Sequence, residues 1–273
     1  RRLIVPSSPG HPFAVQIFGV DPHEVEYAAH AMLQAGVALL DINMGCPMKD
    51  IVRHGAGSAL MQTPQKAEAL VRAARRGVEE KIPVTVKIRA GWDHDSLNAV
   101  PFAQRMEQAG ASLVTVHGRT RSQLYRGHSD PQVITSVVNA VRIPVIANGD
   151  IFSAADAIKL LEITGARGVM VARGSFGNPW IFRDIRAAIT GSVVPPPPSP
   201  ESRFQVMRMH LEKTLHTSRN DAQQLTEIKK QVAWYSKTLK DSSAFRDKLF
   251  RLSSLEEVSD LIIEVERECL AAL

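Results

Sequence analysis

The chain has 273 residues, 44% of them hydrophobic, so it can bury a sizeable core, which excludes a small disulfide-stapled scaffold. No apolar run approaches the ~20 residues of a membrane span, and the Pro-broken opening "RRLIVPSSPGHPFAV" does not make a signal peptide. A formal charge of +5 suits a polyanionic partner, and two cysteines at opposite ends of the chain, Cys46 and Cys269, point to a reducing, cytoplasmic setting.

Short apolar runs follow one another along the first two thirds of the chain. They are "FAVQIF" (13–18), "ALLDIN" (38–43), "PVTVKI" (83–88), "SLVTVH" (112–117), "PVIANG" (144–149) and "RGVMVA" (167–172). Each has the length and β-branched content of a buried strand. Helical patterns lie between most of them, including "HEVEYAAHAMLQAG", "PQKAEALVRAARRGVEE", "SLNAVPFAQRMEQAGA" and "SAADAIKLLEITGA". Gly36, Gly77, Gly110 and Gly165 stand where helix C-caps are expected. Repeated βα units with no GxGxxG after a first strand favour an α/β (β/α)8 TIM barrel over a doubly wound dinucleotide fold. Six strands are fewer than a closed barrel contains, so roughly two N-terminal βα units are expected to be missing.

The barrel pattern covers 1–190. The Pro-rich stretch "GSVVPPPPSP" (191–200) reads as an extended, semi-rigid linker. From 201 to 273 only helical periodicity remains, which predicts a small all-α bundle. Its basic residues, Lys229, Lys230, Lys237, Lys240, Arg246, Lys248 and Arg251, are candidates to follow phosphates. Trp234, Tyr235 and Cys269 are expected to pack in the bundle.

In a βα barrel the active site forms where strands end. The strand ends here carry Gln16 with Gly19; Asp41, Asn43 and Cys46; Lys87 with Arg89; His117 with Arg119; Asn148-Gly149-Asp150; and Arg173-Gly174. Each alone could cap a helix or bond a loop. All together on one rim, they read as a functional ring. The last two ends are Gly-rich turns that open into helices, a setting for a phosphate, and Arg173 adds a cation. Gln16 offers a donor and an acceptor for an imide edge. These parts suit flavin mononucleotide, and a sugar-phosphate enzyme would use similar ones. No metal site is expected: His117 lacks a ligand neighbour, and His54 with Cys46 does not make a zinc pattern.

The motifs "VQIFG", "DINMGCP…GAGSALM", "VTVKIRAGW", "VTVHGRTR", "IANGDI" and "GVMVARGSFGNPWIF" closely resemble the tRNA-dihydrouridine synthases, nearest to the bacterial B-type, nitrogen-regulation-like subgroup. The resemblance extends to "WYSKTL" in the helical segment. Such enzymes begin with a Pro-Met-Ala-Gly-Val-Thr-Asp-like strand end and a second strand with a Thr-Glu-like pair, and neither occurs in this sequence. The resemblance implies an FMN-binding TIM barrel followed by a helical tRNA-binding domain; a monomer is expected. It implies NADPH-dependent reduction of the C5–C6 bond of a D-loop uridine, with a hydride from flavin N5 to C6 and a proton from Cys46 to C5. Substrate contacts fall on Asn43, Arg119 and Tyr125. Cofactor contacts fall on Gln16, Lys87, His117, Asn148, Gly149, Asp150, Arg173 and Gly174. An inactive RNA-binding remnant and a flavin barrel acting on free pyrimidines are the competing readings.

Overall fold

The computed structural model describes residues 12–215, 221–238 and 242–271. Contacts divide the chain into two compact units. One takes in residues up to Ile151 with Asp156–Val171, and the other Phe152–Ala155 with the chain from Ala172 onward.

The first unit alternates strand and helix: β1 Ala14–Ile17, α1 Pro22–Gln34, β2 Leu39–Asn43, α2 Lys49–Arg53, α3 Pro64–Gly77, β3 Val84–Arg89, α4 Ala99–Gln108, β4 Leu113–His117, α5 Pro131–Ala140, β5 Val145–Asn148, α6 Ala154–Thr164 and β6 Gly168–Met170. All six strands are parallel and pair in chain order, the arc of a TIM-barrel-like sheet. Five of the six apolar runs contain one of them, and β3 runs one residue past its run, to Arg89. Two helices start at an Asp-Pro pair, where the aspartate caps and the proline opens the first turn. Asp21 accepts from the His23 N–H at 2.7 Å, and Asp130 from the Gln132 N–H at 2.8 Å.

The strands alternate rather than being apolar throughout. Leu40, Ile42, Val84, Val86, Ile88, Val114, Val116, Val145 and Ala147 are buried with Ala29, Leu70, Phe102, Met106 and Ile134 of the helices in one core. Burying each large side chain contributes roughly 1.5–3 kcal/mol. The residues between them carry the polar groups, because successive side chains of a strand point to opposite faces. Strand register then lines these groups up in rows. Gln16 pairs with Asp41 and Asp41 with Thr85; Asn43 pairs with Lys87 and Lys87 with Thr115; Arg89 pairs with His117 and His117 with Asn148.

Gly36, Gly110 and Gly165 follow their helices with positive φ, as C-caps do. Gly77 is different: it is the last helical residue of α3, and Val78 takes the cap position. A Cβ there would lie 2.3 Å from the Glu26 carbonyl oxygen and 2.7 Å from Ala29 Cβ. Gly77 is small so that α1 and α3 can pack closely.

The second unit contains α7 Ile181–Ile189, the stretch from Ser192 to Ser199 without regular secondary structure, and the helices α8 Pro200–Leu215, α9 Asp221–Tyr235, α10 Ser242–Arg251 and α11 Leu255–Ala271. Its core joins Phe204, Met207, Ile228, Val232, Tyr235 and Leu249, with Cys269 packed at the margin. Trp234 stacks on Phe176 at 4.2 Å rather than between helices. Several of its basic residues have structural partners. Lys229 Nζ donates to the carbonyls of Phe250 and Leu252 at the end of α10, and Lys248 pairs with Glu264 at 2.9 Å. Lys230, Lys237 and Arg251 are exposed, whereas Lys240 lies outside the described residues. Among the described residues, no helix is long and apolar enough to cross a membrane.

Candidate active site

Cys46 is half-buried on the loop that leaves β2. Its backbone is held from several sides. The Asn43 side-chain oxygen accepts the N–H groups of Gly45 at 3.1 Å and Cys46 at 2.9 Å, an Asx turn that folds the loop back on its strand. The Cys46 carbonyl accepts from the Ser58 N–H at 3.0 Å and from its hydroxyl at 2.9 Å. Arg89 Nε donates to the Gly45 carbonyl at 2.8 Å.

Asn43 therefore commits its oxygen to the cysteine loop. Its amide nitrogen donates to Gln16 Oε1 at 2.9 Å, and Gln16 in turn donates to Asp41 at 2.6 Å. The Thr85 hydroxyl donates to the other Asp41 oxygen at 2.6 Å. Burial raises the Asp41 carboxyl above its ordinary value, and the bonds from Thr85 and Gln16 pull the other way.

Lys87 stands in the next row, paired with Asn43. Burial brings its ammonium down to about 8, Arg89 adds to the shift, and Asp41 and Cys46 oppose it. His117 follows in the row above. Burial drives its imidazole down to about 3, helped by Lys87, Arg89 and Arg119, so the ring is neutral. A guanidinium only donates, so the 3.4 Å approach of Arg119 Nη1 assigns His117 Nε2 as an acceptor, with the ring proton on Nδ1.

Arg119 is only 2% exposed. It donates to the carbonyls of Arg126 at 3.2 Å and Gly127 at 2.7 Å, and it pairs with Asp150 at 2.7 Å. It is a strut inside the 118–127 loop rather than a group at the surface. Tyr125 in the same loop is 56% exposed. Asp150 has a left-handed φ of 52°, which its bonds from Arg119 and from the Ser129 N–H at 2.8 Å hold in place. Asn148 is buried, and its amide donates to the Met170 carbonyl at 2.8 Å. Gly149 has φ 131°, and a Cβ there would meet Ser129 Oγ at 2.2 Å and His117 Cδ2 at 3.0 Å. The turn can pass this close to the imidazole only without a side chain.

The first unit thus brings together Gln16, Asn43, Cys46, Lys87, His117, Arg119, Asn148, Gly149 and Asp150 along neighbouring strand ends. Arg173 and Gly174 belong to the second unit, on a short 3-10 turn, with the Arg173 guanidinium 5.6 Å from the Phe152 ring centroid.

A family model described as dihydrouridine synthase matches residues 1–271. The chain belongs to the dihydrouridine synthase family. It is 40% identical over 252 residues to the probable tRNA-dihydrouridine synthase 1 of Synechocystis sp., covering 92% of this chain and 70% of that protein. It is 38% identical over 257 residues to tRNA-dihydrouridine synthase B of Pseudomonas aeruginosa, covering 94% and 76%. It is 39% identical over 250 residues to the probable tRNA-dihydrouridine synthase of Rickettsia bellii, covering 92% and 76%.

Within this dihydrouridine synthase fold, Asp41 and Arg89 belong to the strand-end ring legible in the sequence but gain their individual roles only from the structure, and Thr85 and Ser58 lie outside that ring. Arg89 has the most far-reaching of these roles. Beyond Gly45 it donates to the carbonyls of Thr120 at 2.7 Å and Leu124 at 3.1 Å, which ties the cysteine loop to the loop after β4. Its place two residues after Lys87 on one strand puts both on the same face, and that spacing was the available signal.

Proposed function

We propose that this chain reduces the C5–C6 double bond of a uridine in the D-loop of tRNA, giving 5,6-dihydrouridine. The tRNA named for its relatives supports the substrate. The observation that carries the reading is the Cys46 loop, braced by Asn43, Ser58 and Arg89 at the end of a parallel strand.

Reduction at C6 leaves negative charge on C5 and O4, and a fixed acid beside C5 lowers the cost of that charge. Cys46 gives its thiol proton to C5. Pro47 restricts the backbone after it, and the Asx turn restricts the backbone before it. The target base leaves its stack to reach a strand-end site, which an unpaired loop allows at lower cost than a duplex. Asn43, whose amide nitrogen has a second N–H beyond the one given to Gln16, and the exposed Tyr125 serve the uracil. Arg119, buried and bonded as it is, keeps their loop and the 149–150 turn in register.

The residues present fit FMN. A buried, charged Lys87 beside a neutral His117 suits the carbonyl-rich edge of a flavin, and the side-chain-free turn at Gly149 lets the backbone come close. Gln16, Lys87 and His117 would hold the ring, and Asn148, Gly149 and Asp150 the ribityl and phosphate region. Bound FMN, with NADPH as reductant, would supply the two electrons of the reduction. The helical segment 201–273 holds the tRNA through exposed cations such as Lys230, Lys237 and Arg251, and the barrel segment carries the chemistry.

The test uses the purified chain with FMN, NADPH and tRNA from a cell that lacks this modification. Mass spectrometry should find dihydrouridine in the D-loop. Its absence, with the chain folded and flavin bound, would contradict the reading. Equal activity on free uridine would instead support a pyrimidine reductase.

A further inference from the structure

A one-directional chain of hydrogen bonds runs across three strands and ends on Cys46. The Cys46 N–H donates to Asn43 Oδ1 at 2.9 Å, Asn43 Nδ2 to Gln16 Oε1 at 2.9 Å, and Gln16 Nε2 to Asp41 Oδ2 at 2.6 Å. The Thr85 hydroxyl closes the far end on Asp41 Oδ1 at 2.6 Å.

The two ends fix everything between them. A backbone N–H can only donate, and the two Asp41 oxygens accept from Gln16 and Thr85. The carbonyl of Asn43 must therefore face Cys46, and the amide nitrogen of Gln16 must face Asp41. Turning either amide over would set donor against donor or acceptor against acceptor, and the loss falls most heavily on the part-buried ends at Asp41 and Cys46, since Gln16 between them is exposed. Burying a carboxylate at position 41 carries a desolvation cost. Its neighbour in the polar rows, Lys87, offsets part of the cost by charge alone. That offset does not require the short directed bond to Gln16.

We propose that Asp41 is a positioning residue for Cys46: acting through Gln16 and Asn43, it fixes the orientation of the Gly45–Cys46 peptide and so the aim of the thiol. The inference rests on Cys46 being the proton donor for its consequence in turnover, but not for its effect on the loop.

The experiment compares Asp41→Asn, Gln16→Glu and the double variant in the full chain. One readout is the rate of Cys46 alkylation by iodoacetamide, followed on the Cys46 peptide by mass spectrometry. The other is dihydrouridine formation resolved into kcat and KM for tRNA. A carboxamide at position 41 can donate as well as accept, so the amides lose their unique setting. A second carboxylate at position 16 would face the one already at 41. Each single variant should lower kcat ~10-fold with KM little changed, and should shift the alkylation rate at least about threefold. In the double variant the two groups exchange roles. The carboxylate now at position 16 accepts from the carboxamide now at position 41 and from Asn43, so Asn43 keeps its oxygen on Cys46. The alkylation rate should return to within about twofold of the unaltered chain, a coupling that a general packing role would not produce.

A double variant no better than the singles, or Asp41→Asn with unchanged alkylation, overturns the inference. Should Asp41→Asn not fold, Gln16→Met cuts the chain one link nearer Cys46, and unchanged alkylation there overturns it equally. A Cys46→Ala chain that still forms dihydrouridine defeats the proton-donor reading alone, and an alkylation shift in Asp41→Asn still supports the positioning role.

Discussion

Arg89 donates from Nε to the carbonyl oxygen of Gly45 at 2.8 Å, one residue before Cys46. The same buried guanidinium holds the carbonyls of Thr120 and Leu124. One cation thereby joins the loop that carries the thiol to the loop that carries Tyr125. Lysine has the charge without the fork and cannot reach all three oxygens. Arg89→Lys should lose ~2–4 kcal/mol of stability and at least ~10-fold in dihydrouridine formation. Urea unfolding and the tRNA assay measure both, and a Lys variant with full stability would remove the clamp from the picture.

Gly149 tests the close turn. Alanine there meets both an unfavourable φ of 131° and a Ser129 oxygen at 2.2 Å. Gly149→Ala should cost ~2–4 kcal/mol and weaken flavin retention. Thermal unfolding and the visible absorbance of the purified chain check this; yellow protein of ordinary stability would argue against it.

His117 gives a pH dependence with a definite sign. Its ordinary value is 6.5, and in the folded chain it is about 3. The unfolded chain therefore takes up a proton in that window that the folded chain refuses, so stability is full above pH 6.5 and is lost as pH falls toward 3. Lys87 acts at the other end: with a folded value of about 8 against 10.5, it adds stability as pH rises between them. His117→Gln should flatten the acid side of a stability–pH curve measured by urea midpoints. An unchanged acid slope in that variant would assign the loss to other groups.

The helical segment offers fewer free cations than its basic composition suggests, because Lys229 and Lys248 are committed to protein partners. Lys230 and Arg251 are exposed and are the candidates the proposed tRNA binding would use. Replacing both with Ala should reduce the salt slope of tRNA binding by roughly 1.4–1.8 in log–log terms, at ~0.7–0.9 per phosphate lost. A slope that stays unchanged would move the tRNA contacts elsewhere.

The strands and their order were legible because each apolar run is short, β-branched and separated from the next by helical periodicity. The ring of strand-end residues was legible for the same reason, since strand ends can be read from the runs. Register was not. Gln16, Asp41 and Thr85 come from three distant segments, and only the pairing of β1 with β2 and β2 with β3 sets them side by side. Arg119 looked like a rim residue because it follows His117. The partners that bury it, Gly127 and Asp150, are supplied by the curl of its own loop and by a neighbouring strand end. Asn43 is an intermediate case. An Asn placed before Gly45 and Cys46 is a familiar Asx-turn former, and that local reading explains its bonds without any substrate.

The most direct measurement is dihydrouridine formation by Cys46→Ala on unmodified tRNA, with flavin content recorded on the same sample. The variant should keep its bound flavin and lose nearly all turnover, because the loop survives while the proton donor is gone. Undiminished dihydrouridine formation by the flavin-loaded variant would contradict the role assigned to Cys46.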